Sequence, residues 1–265
     1  MSSVFAVFMY FWSVISVSII GTGNVAFHLA KALSTSQSAK LQFIAGRSTT
    51  QLTDFKAFAE VSTQVSDTFH SDLIILAVSD NAIGEIAEKL QHTNGLLVHT
   101  SGSTAMDVLA PKTRIGVCYP LQTFSKRKDL NYSKIPFLLE ANHQEDYALL
   151  EKLLGSLNAP VHQMNSKDRA SIHLAAVFSN NFTNHILTEA AQLCNQHQVS
   201  FELLKPLLEE TLEKAFLNGP ENSQTGPAKR HDTQTIQKQL EALKTSEQQE
   251  LYSTLTKAIQ NYYER

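Results

Sequence analysis

A chain of 265 residues with 43% hydrophobic and 18% charged side chains is long enough for two domains and carries the apolar material for a sizeable core. Its formal charge of −3 offers no basic face to a nucleic acid, which excludes a polyanion as the expected partner. Cys118 and Cys194 stand far apart and outside any CxxC pair, so no disulfide framework is expected and a cytoplasmic setting fits.

The first element follows an uncharged run from Val4 to Ile20, long enough to span a bilayer. Three features argue against a span. No Lys or Arg precedes the run, serines interrupt it, and its last third, Val14 to Ile20, is β-branched and partly alternating, as in a buried strand. A strand over 14–20 is therefore expected, with residues 1–12 as an extension in front of it and no membrane span.

Gly21-Thr22-Gly23-Asn24-Val25-Ala26 follows at once and matches GxGxxA. Gly21 allows the tight turn, Gly23 leaves room for a pyrophosphate against the backbone, and Ala26 permits close helix–strand packing. The helix behind it carries Val25, Leu29 and Leu33 on one face and turns its positive N-terminal end toward a phosphate. Strand, turn and helix in this order predict a dinucleotide site built from Gly21, Thr22, Gly23, Asn24 and Val25. The second strand, 41–45, ends in Gly46-Arg47-Ser48 without the acid that takes NAD ribose hydroxyls. Arg47 can fork onto a 2′-phosphate with Ser48 beside it, which favours NADP over NAD; a solvated loop charge is the plainer alternative.

Alternation continues with strands over 73–78, 96–99 and 115–119, and a helix over 82–90. Residues 135–139 read as an edge strand because Pro136 cannot donate to a ladder. A helix over 143–156 and a strand over 160–164 complete a doubly wound α/β Rossmann domain over 13–165. Ligands gather at the carboxyl ends of such strands. That rule selects Val78 and Ser79 for the cofactor and Thr100, Ser101, Ser103 and Gln122 as lining of the nicotinamide end. Helix capping explains Ser79 and Asp80 equally well.

Beyond residue 165 strand signals stop and an all-helical domain over 166–265 is expected. A first helix runs from Ser166 to His197, with others near 200–217, 232–245 and 246–262. At about 100° per residue, His173, Asn180 and Asn184 fall within about 40° of one another, with Ser166 and Arg169 extending the stripe. It is either the solvent face of an amphipathic helix or a substrate-contacting face, with His173 as proton donor and Asn180 or Asn184 as hydrogen-bond partners. The loop 218–232 offers Thr225 and Arg230 to an anionic group, or is a plain connection. Metal spacings such as HExxH do not occur, so no metal site is expected.

The segments IIGTGNVAFHLAKAL, AGRS, DLIILAVSDNAI, VHTSGS, YPLQTF, HLAAVFSNNFTNHI and TGPAKRHD together resemble the Rossmann-like NADP oxidoreductases with a DUF2520 C-terminal domain. These are related to pyrroline-5-carboxylate reductases and to 6-phosphogluconate and 3-hydroxyacid dehydrogenases. The resemblance implies an all-α C-terminal domain of the 6-phosphogluconate dehydrogenase type and homodimerisation through those helices. It also implies an NADP-dependent oxidoreductase for a small carbonyl or imine, with a non-catalytic NADP sensor or scaffold as the alternative. Tyr119 stands where many members have His. The catalytic Lys of the hydroxyacid dehydrogenases has no counterpart four residues before Asn180, Asn181 or Asn184. That mechanism does not transfer, and His173, Asn180 and Ser101 are the expected orienting and protonating groups.

Overall fold

The computed structural model describes residues 14–264, so the expected extension over 1–12 lies outside the described residues. The chain forms two compact units, one ending at Phe178 and one beginning at Ser179.

The first unit opens with β1 (Ile15–Ile20), α1 (Asn24–Leu33), β2 (Ala39–Ala45), α2 (Thr49–Leu52), β3 (Glu60–Ser62), β4 (Leu73–Leu76) and α3 (Asp80–Leu90). It continues with β5 (Leu96–His99), β6 (Ile115–Pro120), β7 (Phe137–Ala141), α4 (Gln144–Gly155), β8 (Val161–Gln163) and α5 (Ser166–Ala176). The strands form one sheet in the order β3-β2-β1-β4-β5-β6-β7-β8. All neighbours run parallel except β6 and β7. This is the doubly wound arrangement expected from the sequence, with β1 and β4 side by side where the strand order reverses.

Central parallel strands are covered on both faces and so read as unbroken apolar runs. β4, Leu-Ile-Ile-Leu, is buried at every position. Its residues divide between two cores. Leu73 and Ile75 join Ala26, Leu29 and Leu33 of α1 with Leu150, Leu153 and Leu154 of α4. Ile74 and Leu76 join Ile83, Ala87 and Leu90 of α3.

The edge assignment for the Pro136 strand is corrected. β7 begins at Phe137 and pairs with β6 and β8, so the missing Pro136 N–H falls outside the ladder and β8 is the edge. β3 escaped the sequence reading because three residues carry no period.

The second unit holds α6 (Thr183–Gln196), α7 (Lys205–Asn218), α8 (Pro220–Ser223), α9 (Thr233–Ala242) and α10 (Ser246–Tyr263). Between α5 and α6 the backbone is a π segment, Val177–Phe182. A π turn holds more residues than an α turn. The 100° count that aligned His173 with Asn180 and Asn184 therefore does not carry across it. Within this unit Ala228 and Gln248 are the buried residues among those described. No helix among the described residues is long and apolar enough to cross a membrane.

Candidate functional site

The turn after β1 shows why its glycines are required. Gly21 has φ of +134°, and a Cβ there would lie 2.0 Å from the Ala77 carbonyl oxygen. Only glycine combines that backbone with so close an approach to the end of β4. A Cβ on Gly23 would meet nothing within 4 Å, so the space over the turn is open. Gly23 is the N-cap of α1 and supplies no side chain to it. The first intrahelical bond, from the Phe27 N–H to the Gly23 carbonyl, leaves the preceding amides free of helical partners. The first turn of α1 holds no acid. Open space, free amides and no opposing charge fit a diphosphate.

Other predicted residues prove partly committed. Thr22 donates its hydroxyl to Gln51 Oε1 at 2.7 Å, and the Asn24 amide donates to the Phe124 carbonyl at 2.8 Å. Val25 is half-buried and packs against the core, so its backbone is what it offers a ligand. Ser48 caps α2, accepting from the Gln51 N–H at 3.4 Å. Arg47 is exposed and in no ion pair among the described residues. The nearest acid after β2, Asp54, is held by Lys126 at 2.9 Å. Lys126 in turn lies over the Phe27 and Phe55 rings.

Val78 and Ser79 lead into α3, and Ser79 makes no side-chain cap bond although it occupies the N-cap. Capping therefore does not account for its hydroxyl. Asp80 accepts instead from Ser103 Oγ at 2.6 Å, which ties α3 to the loop after β5. In that loop Ser101 is buried, and its Oγ accepts from the Ser103 and Thr104 N–H groups and donates to Thr104 Oγ1 at 3.0 Å. Its hydroxyl shapes the loop. The Ser101 N–H donates to His99 Nδ1 at 3.1 Å. Burial, with the Arg169 guanidinium second, pushes the fully buried His99 imidazole down to about 4. His99 is thus a neutral structural histidine near pH 7.

The long polar stripe resolves differently along its length. Arg169 is fully buried; it pairs with Glu140 and donates to the Thr104 carbonyl at 2.6 Å and to Ser166 Oγ at 3.1 Å. Ser166 donates to Glu140 Oε2 at 2.7 Å and accepts from the Met106 N–H at 2.9 Å. The solvent-face reading fails for these two residues, because they fasten α5 to β7 and to the loop after β5. One turn further on, His173 Nδ1 lies 2.9 Å from the Tyr119 hydroxyl, with the rings in T-shaped contact. Gly102 admits this pair: a Cβ there would lie 2.5 Å from His173 Nδ1 and 2.7 Å from Tyr119 Cζ. Sequence reasoning singled out neither Gly102 nor Glu140, and gave Tyr119 no partner.

In the second unit Asn180, Asn184, Thr225 and Arg230 are all exposed. Asn180 approaches only Asn181, at 3.5 Å. Gln122, in the first unit, bonds its own loop through the Thr123 N–H. No cluster of three or more candidate metal ligands occurs among the described residues.

Strand order, the glycine turn and the bare helix N-terminus together define a Rossmann-like protein. A Rossmann-like domain matches residues 12–124, and the domain of unknown function DUF2520 matches residues 135–259. The chain belongs to the family that joins these two domains. It is similar to a crystal structure of a "putative NADP oxidoreductase" from Bacteroides fragilis, with 33% identity, TM-score 0.85, and coverage of 93% of this chain and 98% of that one. Two more distant structures share the fold. An imine reductase from Pseudomonas sp. has 19% identity and TM-score 0.69, over 94% of this chain and 92% of that one. The Plasmodium falciparum pyrroline carboxylate reductase with NADP bound has 15% identity and TM-score 0.60, over 93% and 98%. No curated protein matches the sequence.

Proposed function

We propose that the protein is an NADP-dependent oxidoreductase that reduces a small carbonyl or imine compound. The observation that carries this reading is the open, acid-free N-terminus of α1 above Gly23, with unpaired Arg47 at the end of β2. Gly21, Thr22, Gly23, Asn24 and Val25 would hold the diphosphate through backbone amides, and Arg47 with Ser48 the 2′-phosphate. Val78 and Ser79 would border the nicotinamide end. The names of the structural neighbours, an imine reductase and a pyrroline carboxylate reductase among them, support the same reaction class.

Reduced nicotinamide, when bound, supplies hydride to an electrophilic carbon. His173 donates the proton to the adjacent oxygen or nitrogen, because an imidazole can carry a transferable proton on either ring nitrogen. Ser101 acts by shaping the loop under His173. Ser103, in the loop after β5, is assigned as a further substrate contact in the same unit. The second unit serves homodimerisation. Exposed Leu203, Leu207, Leu212, Phe216 and Leu217 support that assembly.

The test is NADPH oxidation against a panel of ketoacids, aldehydes and cyclic imines, alongside cofactor titration. Turnover lost in His173→Ala with NADPH binding kept supports the proposal. Arg47→Ala should weaken NADPH by about tenfold or more, as for a lost charge-assisted hydrogen bond, and NADH little. Equal loss of both removes the 2′-phosphate assignment. Tight NADPH binding without turnover across the panel favours a non-catalytic sensor.

A further inference from the structure

Tyr119 and His173 come from distant parts of the chain and meet at one hydrogen bond. Tyr119 lies near the end of β6, and His173 on the third turn of α5, whose start is fixed by the Arg169–Glu140 pair. Gly102 beneath them is buried and lacks the Cβ that would push the rings apart. The Tyr119 hydroxyl has no other hydrogen-bond partner among the described residues, and His173 Nε2 has none. One ring nitrogen is therefore engaged and the other free. Asp80, which accepts from Ser103, is the charged group that acts on the Tyr119 phenol, and the Arg169–Glu140 pair anchors α5 one turn before His173.

We propose that Tyr119 is the positioning residue of the proton donor: its hydroxyl holds His173 Nδ1 and so dedicates Nε2 to proton transfer. The inference rests on the reductase reading of this site. Burial first, and the Asp80 carboxylate second, push the Tyr119 phenol above its ordinary value, which favours its protonated form. With a neutral imidazole protonated at Nε2 the phenol O–H donates to Nδ1. With an imidazolium the Nδ1–H donates to the phenol oxygen. The ring is held in both states, and a neutral phenol relays no charge.

Reduced nicotinamide, if bound, would supply the hydride that the electrophilic carbon gains and would itself be oxidised. The C=O or C=N π pair moves onto the heteroatom and takes the Nε2 proton of the His173 imidazolium. That nitrogen keeps the N–H bonding pair, and the neutral ring retains Nδ1–H bonded to the phenol oxygen.

The test pairs Tyr119→Phe, which keeps the ring packing, with two readouts on the full-length protein. In nitrogen NMR of histidine-labelled protein at about pH 8.5, where an ordinary imidazole is neutral, the wild-type His173 Nδ1 resonance should lie upfield as a hydrogen-bond acceptor. It should move downfield in Tyr119→Phe. In turnover, Tyr119→Phe should lower kcat about tenfold or more, within the range of general acid catalysis, with the NADPH Kd within about twofold of wild type. Added to His173→Ala, it should cost nothing further, because the two residues act as one unit. An unmoved Nδ1 resonance overturns the proposal, and so does a full additive loss on the His173→Ala background. An Nδ1 shift with unchanged kcat on a substrate the wild type reduces also overturns it. A wild-type protein that binds NADPH and reduces nothing removes the reductase reading and this proposal with it; the NMR result then still shows separately whether the hydrogen bond forms.

Discussion

In the sheet unit, β4 buries all four of its residues and the long side chains of α1, α3 and α4 close over both faces. In the helical unit, α7 buries none, and Leu207, Leu212, Phe216 and Leu217 are 63%, 59%, 91% and 76% exposed. Both regions carry ample apolar material, yet only the first encloses it. A parallel sheet finds its cover within βαβ units of its own chain. Helices whose apolar residues stay uncovered offer a surface of the kind that marks association. The dinucleotide-type glycine turn thus lies in the enclosed unit, while the second unit leaves its apolar side chains exposed.

The largest expected effect breaks the comparison on the helical side. Replacing both Leu207 and Phe216 by Glu should abolish self-association in sedimentation velocity, because each apolar side chain buried at an interface contributes about 1.5–3 kcal/mol and two charges oppose it. If the double variant sediments as the wild type does, the homodimer proposal fails and the exposed face needs another account.

Arg169→Ala should come next, acting on the sheet unit. It strands Glu140 beside a fully buried cavity and unties α5 from the loop after β5. A broken buried pair costs about 3–5 kcal/mol, read as a lower Tm. A loss below about 1 kcal/mol, typical of an exposed pair, would mean the tie is not structural.

The smallest effect is the pH dependence of His99. Its folded value, about 4, lies below that of an exposed imidazole. The unfolded chain binds the proton more readily, so the stability from a neutral buried His99 is full above about pH 6.5 and is lost as pH falls toward 4. Between pH 7 and pH 4.5 that loss amounts to about 2–3 kcal/mol. His99→Asn, which keeps an acceptor for the Ser101 N–H, should flatten this part of the urea-midpoint profile. An unchanged slope would show that other groups carry the acid sensitivity.

What the residues alone determined is local or periodic. The β-branched run, the Gly21–Ala26 turn and the helix behind it are contiguous, and each dictates its own backbone, so the chain order of the elements and the doubly wound fold class were legible. Continuous apolar runs marked the buried strands, while β3 was too short to leave a period and the Pro136 strand was misplaced at the edge. Tertiary structure decided the rest. Tyr119 meets His173 across 54 positions and Arg169 meets Glu140 across 29, with Gly102 needed only because two rings converge on it. The stripe inferred on the long helix mixed anchors such as Arg169 with exposed residues such as Asn180, and the π segment reset its angular count. Pairings between distant residues leave no spacing along the chain, since packing rather than backbone periodicity brings them together.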